Sequence, residues 1–306
     1  MPQKDKYLVT GGNGFFGSIL TRCLKQAGNN VCLLGRSAGN DLAFDIATKF
    51  DLPAGLEFNT VIHAAGKAHI VPRTAQEGDE FFKVNFEGTQ NLCHALEKLT
   101  DRPSAFVFIS TIAVYGVDEG AGISESHALN GKTPYAKSKI MAEEWLQEWA
   151  SKNQVKLGIL RLPLIAGPNP PGNLGAMISG IRKGRYFSIG NASAKKSIVW
   201  AEDIAGIIPQ VAREGGAFNL TDGYHPSFGE LEKTIAHALG KKDPMKIPAT
   251  LARFIGRTGD ILGNASPINT NKLKKITSTL TFDDSKARQL LNWNPSPVLE
   301  KLPCTL

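Results

Sequence analysis

Thr111, Tyr135 and Lys139 are residues on which proton-transfer chemistry can be built. Thr133-Pro134-Tyr135-Ala136-Lys137-Ser138-Lys139 reads as a helix start, with Thr133 as N-cap and Pro134 at the first helical position. Tyr135 and Lys139 then stand at i and i+4, on one face and able to converge on one ligand. A free tyrosine titrates near ~10, so proton transfer near neutrality requires a stabilised phenolate. A neighbouring ammonium and the positive ring of an oxidised nicotinamide would provide that. Thr111 can donate to, or accept from, the same reacting oxygen. By itself Tyr-x-x-x-Lys is a common helix-surface pattern, so its meaning depends on what surrounds it.

A glycine turn supplies the context. Lys6 to Thr10 (KYLVT) reads as a buried strand and Phe15 to Gln26 as the helix that follows. Between them Gly12-x-Gly14-x-x-Gly17 fits the dinucleotide fingerprint, and Gly11-x-x-Gly14-x-x-Gly17 fits its wider-spaced variant. Such glycines permit a tight turn and let amides at a helix N-terminus approach a pyrophosphate. The end of the second strand bears on which dinucleotide is taken. An NAD enzyme usually has a carboxylate there, whereas this chain has Gly35-Arg36-Ser37. Arg36 with Ser37 suits a 2′-phosphate, which favours NADP(H), with NAD(H) as the alternative.

The elements that must position these residues form an α/β fold, a Rossmann-type doubly wound parallel sheet. Apolar runs at 31–34, 42–44, 60–65, 105–110 and 156–162 alternate with helical stretches, among them a long one from Gln76 to Leu99. Ligands of such sheets bind beyond the carboxyl ends of the strands. Gly11, His63, Thr111 and Arg161 all fall near such ends. Asn85 and Gly88 interrupt the long helix; a packing glycine beside a capping asparagine would account for them as well as a ligand would. After Gly167 the elements shorten, with helices expected at 175–183, 202–213, 228–239, 250–261 and 284–291. Residues 1–166 are therefore read as the dinucleotide domain, and 167–306 as a smaller C-terminal substrate-binding lobe interwoven with it.

Composition narrows the remaining classes. The net charge is +7, from 35 Lys and Arg against 28 Asp and Glu, but the cations are dispersed and no nucleic-acid module is present. A basic balance suits phosphate-bearing ligands. No leader is expected, since Met1 to Lys6 reads straight into the first strand, and the most apolar stretch, Val155 to Pro168, is broken by Arg161 and two prolines, so no membrane span is expected. Cys23, Cys32, Cys93 and Cys304 show neither metal nor disulfide spacing and are read as small core residues of a cytoplasmic protein. His63 and His69 are read as a packed strand-end residue and a loop residue rather than metal ligands. No metal is expected.

Taken together, TGGNGFFG at 10–17, VIHAAG at 61–66, VNFEGT at 84–89, FISTIAVYG at 108–116 and the Tyr135/Lys139 pair resemble the extended short-chain dehydrogenase/reductase family of nucleotide-sugar epimerases, dehydratases and ketoreductases. RLPLIAGP at 161–168, IVWAEDIA at 198–205 and the tail 281–295 extend the likeness over essentially the whole chain. The resemblance implies that Tyr135 is the general acid/base, that Lys139 lowers its pKa while holding the nicotinamide ribose, and that Thr111 hydrogen-bonds the substrate oxygen. It also implies cofactor contacts at Gly11, Gly14, Phe15, Phe16, Gly17, Arg36, Asp45, Ile46, Ala64, Ala65, Gly66, Asn85 and Pro163, with Asn85 behind the catalytic lysine. Relatives are often homodimers.

The resemblance also limits the reaction. Related 4,6-dehydratases carry Asp-Glu directly after the threonine, and 3,5-epimerising reductases use a Cys/His couple. Here Ile112, Ala113 and Val114 can transfer no proton. A ketoreductase or a 4-epimerase remains. The segments 65–71, 172–174 and 195–199 look like those of bacterial UDP-4-keto-6-deoxy-N-acetylhexosamine 4-reductases of surface-polysaccharide synthesis. In that reading Asn173, Lys196 and Thr111 contact a nucleotide-sugar substrate, with Lys196 near its diphosphate. Leu164 replaces a polar residue of typical 4-epimerases, which favours NADP(H)-dependent 4-keto reduction and leaves the NAD-dependent epimerase as the alternative. A non-catalytic dinucleotide sensor on the same fold would generally lose Tyr135 or Lys139.

Overall fold

The computed structural model describes residues 5–68, 70–254 and 270–306. Strand β1 (Lys6–Thr10) leads through the glycine turn into α1 (Phe15–Gln26), followed by β2 (Asn30–Gly35), β3 (Leu42–Ala43) and β4 (Thr60–His63). The predicted long helix is three pieces: α2 (Ala75–Phe82), a π-helical turn over Lys83–Glu87, and α3 (Gly88–Glu97). The wide turn falls on Asn85, and a π-bulge inside a helix commonly marks a functional constraint. Next come β5 (Ala105–Thr111), β6 (Gly120–Ile123), α4 (Pro134–Asn153), β7 (Lys156–Leu162) and β8 (Leu164–Ala166). The second half contributes α5 (Gly172–Arg182), β9 (Phe187–Ile189), β10 (Ile198–Trp200), α6 (Ala201–Glu214), β11 (Gly216–Asn219), α7 (Phe228–Ala238) and β12 (Met245–Ile247). The chain closes with α8 (Thr270–Thr277), β13 (Leu280–Phe282), α9 (Ser285–Leu291) and α10 (Val298–Lys301).

Seven strands form one parallel sheet in the order β11-β7-β5-β4-β1-β2-β3. The order reverses between β1 and β4, which is where a doubly wound sheet opens a crevice for a ligand. The continuous apolar strands serve two cores by simple alternation. Val9, Ile62 and Val107 face α1 and α6, while Leu8, Val61 and Phe106 face α3 and α4. Strand β11 and helix α6 come from the second half of the chain yet complete this sheet and its helical layer. A third core joins α5, α7, β10 and Val298.

Several expected boundaries move. Helix α5 begins at Gly172 rather than at 175, directly after Pro170-Pro171, and a Cβ at Gly175 would lie 2.1 Å from the Pro170 carbonyl oxygen. The helix expected over 250–261 is described only as far as 254, and His69 lies outside the described residues. Cys93 is a core residue as expected, but Cys304 is exposed, since it sits on the last turn of the chain. No helix among the described residues is long and apolar enough to cross a membrane.

Candidate functional site

The glycine turn is built by backbone contact. Gly11 has φ +74°, and a Cβ on it would lie 2.6 Å from the Ala65 amide nitrogen. A Cβ on Gly17 would lie 2.0 Å from the Gly11 carbonyl oxygen, so α1 can start this close to the strand only with glycine there. Gly14, the N-cap, is different: a Cβ would meet only the Gly11 carbonyl oxygen, at 3.3 Å, and its other side is open. Helices α2, α4 and α7 have side-chain caps from Thr74, Thr133 and Ser227, whereas α1 has none and no acidic residue in its first turn. Its leading amides, at Phe15, Phe16 and Gly17, therefore suit an external anion. The residues present fit a dinucleotide diphosphate. The Phe16 ring is buried in the core, so that residue can offer only its backbone.

Below the turn runs a directed chain of hydrogen bonds. The Ala65 amide donates to Thr10 Oγ1 (3.1 Å), and Thr10 Oγ1 lies 2.6 Å from His63 Nδ1. His63 Nε2 lies 2.9 Å from Thr89 Oγ1, which donates to the Asn85 carbonyl oxygen (2.7 Å). Since Thr89 spends its proton on Asn85, His63 must donate through Nε2 and accept at Nδ1 as a neutral imidazole. Burial, with the nearby Lys139 charge adding to it, lowers the His63 pKa to about 3. Both ring nitrogens are thus committed to structure, as the reading of His63 as a packed residue expects.

Asn85 is fully buried. Its Oδ1 accepts from the Lys67 amide (2.7 Å), and its Nδ2 donates to the Lys67 carbonyl (3.1 Å) and to Ser138 Oγ (3.0 Å). Both Nδ2 donors are thus spent within the fold, and Asn85 braces the Ala64–Lys67 loop against Ser138 on α4. Gly88 is explained by packing, because Ile46 occupies the space a Cβ would need, at 3.1 Å.

Thr111, Tyr135 and Lys139 come together where β5 overruns its neighbour. Pairing with β4 ends at Phe108, leaving Ile109, Ser110 and Thr111 unpaired on that side. Lys139 Nζ donates to the freed Ile109 carbonyl (2.8 Å) and sits 4.3 Å from the centroid of the Phe108 ring. Burial lowers the Lys139 pKa to about 8, against the opposing charge of Glu143. Tyr135 packs edge-on against the buried Phe81 ring (centroids 6.1 Å). Burial pushes the Tyr135 phenol up, and a hydrogen bond with Thr111 pulls it down by less. Thr111 Oγ1 accepts from the Ala113 amide (3.2 Å), which leaves its own proton for an oxygen in the site. The capping reading of α4 holds: Thr133 Oγ1 accepts from Ala136 N at 3.1 Å.

The second-strand end is polar and cationic. Asn13 Nδ2 donates to Ser37 Oγ (2.9 Å) and Asn40 Oδ1 (3.2 Å), and Asn40 Nδ2 donates to the same hydroxyl (2.9 Å). Arg36 beside them is exposed and has no ion-pair partner among the described residues. Asp45 caps the Ala47 amide (3.0 Å), Ile46 is buried, and Pro163 is buried between β7 and β8. Ala64 and Ala65 are half-buried and Gly66 is exposed. Asn173 is exposed in the first turn of α5. Lys196 is half-buried, and burial lowers its pKa against the pull of Asp118. Asn13, Asn40, Thr10, Thr89, Ser138 and Glu143 escaped the sequence reading as site residues, and Arg161, read only as a strand-end residue, proves to be the buried partner of Glu143. Only the i+4 spacing of Glu143 from Lys139 could have flagged one of them.

A family model, the NAD dependent epimerase/dehydratase family, matches residues 7–220. The chain is similar to a UDP-glucose 4-epimerase of Vibrio cholerae, 26% identical over 316 residues that cover 96% of this chain and 92% of that protein. It is 30% identical over 217 residues to the N-acetyl-alpha-D-glucosaminyl-diphospho-ditrans,octacis-undecaprenol 4-epimerase of Escherichia coli O157:H7, covering 67% of this chain and 65% of that one, just under two thirds of its length. Its fold matches RMD from Pseudomonas aeruginosa complexed with NADPH, with a TM-score of 0.75 at 19% identity, covering 98% and 97% of the two chains. The chain belongs to the NAD dependent epimerase/dehydratase family.

Proposed function

We propose that this family member moves a hydride and a proton at one carbinol of a nucleotide-linked sugar, as an NADP(H)-dependent reductase of a 4-keto-6-deoxy-N-acetylhexosamine nucleotide. The convergence of Thr111, Tyr135 and Lys139 at the end of β5, followed by Ile112 and Ala113, carries the reading. A bound nicotinamide would supply the hydride. Thr111 offers its hydroxyl proton to the sugar oxygen, and Tyr135, kept protonated by burial, delivers the proton that completes reduction. The Lys139 ammonium stabilises the phenolate left behind. Side chains 112 and 113 supply no second acid or base, which weighs against elimination of water. Exposed Arg36, with no ion-pair partner among the described residues, lies beside the Ser37–Asn13–Asn40 cluster and supports a 2′-phosphate, and Lys196 and Asn173 are proposed substrate contacts.

A second reading, a 4-epimerase retaining NAD, is favoured by the activities of the two related enzymes. One experiment separates the two. The reductase consumes one NADPH per 4-keto sugar nucleotide and does not interconvert UDP-N-acetylglucosamine with its C4 epimer. Purified protein that carries tightly bound NAD and performs that interconversion without added cofactor would establish the epimerase instead.

A further inference from the structure

We propose that Glu143 is a positioning residue for the proton-transfer set, its buried carboxylate clamped by Arg161 and Ser110 so that it keeps the Lys139 ammonium charged. Three consecutive residues of β5 engage successive turns of α4: Thr111 meets Tyr135, the Ile109 carbonyl meets Lys139, and Ser110 Oγ donates to Glu143 Oε1. Tyr135, Lys139 and Glu143 are spaced by four and share one helical face. Glu143 is fully buried, and from β7 Arg161 binds it through Nη2 (2.7 Å) and Nε (3.1 Å). Arg161, itself buried, is held from behind by the Tyr115 hydroxyl (3.2 Å) and the Glu125 carbonyl (3.3 Å). The guanidinium therefore cannot swing toward Lys139, and the carboxylate cannot leave it.

Lys139 needs such a partner. Its Nζ has one carbonyl and one aromatic face for company, and burial there disfavours the charged form. The other titratable groups around it do not help. His63 is neutral, Tyr135 is a protonated phenol, and the nearby Lys67 is paired with Glu80. Among the described residues, Glu143 is the one charge that favours the ammonium. A phenolate stabiliser that lost its proton near neutrality would no longer stabilise, so the carboxylate extends the range over which Lys139 can act.

The inference rests on Lys139 belonging to the proton-transfer set, but its test reads Lys139 directly and needs no substrate. In protein carrying 15N-lysine, the Lys139 Nζ resonance, assigned by its loss in Lys139→Met, is followed against pH. The wild-type midpoint is expected near the lowered value of about 8, and Glu143→Gln should move it down by about one pH unit or more. Ser110→Ala removes a contact but no charge and should leave the midpoint within a few tenths of a unit. If Glu143→Gln alone fails to fold because Arg161 is left unpaired, Glu143→Gln/Arg161→Met removes both charges and should give a midpoint between those of the wild type and the single variant's expected value. An unchanged midpoint in the folded single or double variant, or an equal shift in Ser110→Ala, overturns the proposal.

Discussion

Replacing Gly17 by alanine tests the dinucleotide turn where its geometry is tightest. The new methyl would lie 2.0 Å from the Gly11 carbonyl oxygen, 2.7 Å from its carbon and 3.0 Å from Gly12 Cα, all backbone atoms. Ordinary contact begins at about 3.4 Å, so the turn and the start of α1 must separate by more than ~1 Å. Overpacking of this kind costs about 1–3 kcal/mol of stability. The same displacement withdraws the leading amides of α1 from a bound diphosphate. Each hydrogen bond to a charged group is worth about 1.5–3 kcal/mol, so losing one weakens NADPH binding by roughly ten- to a hundredfold. Gly14→Ala is the informative partner, because its methyl meets a single atom at 3.3 Å and otherwise enters open space. It should cost the fold only about 1 kcal/mol, as an N-cap change, yet lower affinity at least as much as Gly17→Ala. Urea unfolding and NADPH fluorescence titration of both proteins provide the comparison. Wild-type stability and affinity in Gly17→Ala would refute the packing argument, and unchanged affinity in Gly14→Ala would remove the turn from the dinucleotide site.

Tyr135→Phe should lower turnover by ~10²- to 10⁴-fold while NADPH still binds, since only the transferable proton is lost; near-wild-type turnover would remove Tyr135 from the chemistry. Arg36→Asp should weaken NADPH binding and raise the preference for NADH, and a wild-type protein that already prefers NADH would contradict the 2′-phosphate reading. His63 should make folding pH-dependent. Its native pKa is lowered to about 3, whereas the unfolded chain takes up the proton near ~6.5. Its contribution is therefore whole above ~6.5 and declines as pH falls toward 3, by up to ~1.4 kcal/mol per pH unit. Urea unfolding at pH ~7 and ~5 should show that slope in the wild type and a flatter one in His63→Gln.

Much of this protein can be read along the chain because its signals are local. The limits of β1 and α1 follow from an apolar run, three glycines and a helical period, and the structure has them at Lys6–Thr10 and Phe15–Gln26 as read. Thr133, Pro134, Tyr135 and Lys139 specify a capped helix with two groups on one face through spacing alone. The parallel sheet follows from apolar strands that must be covered on both sides. What the chain does not show locally are contacts between residues far apart in sequence. Thr10, His63, Thr89 and Asn85 join one hydrogen-bonded chain only because β1, β4 and the π-turn lie side by side. Asn85 and Gly88 mark an interruption of the long helix in sequence, but the bulge at Lys83–Glu87 finds its reason only where Asn85 grips Lys67 and Ser138. Arg161 marks a strand end in sequence but is the counter-ion of Glu143 in space. Periodicity encodes which face a residue occupies, and tertiary packing alone decides which distant polar group meets it there, since a buried donor or charge must find its partner wherever the fold brings one.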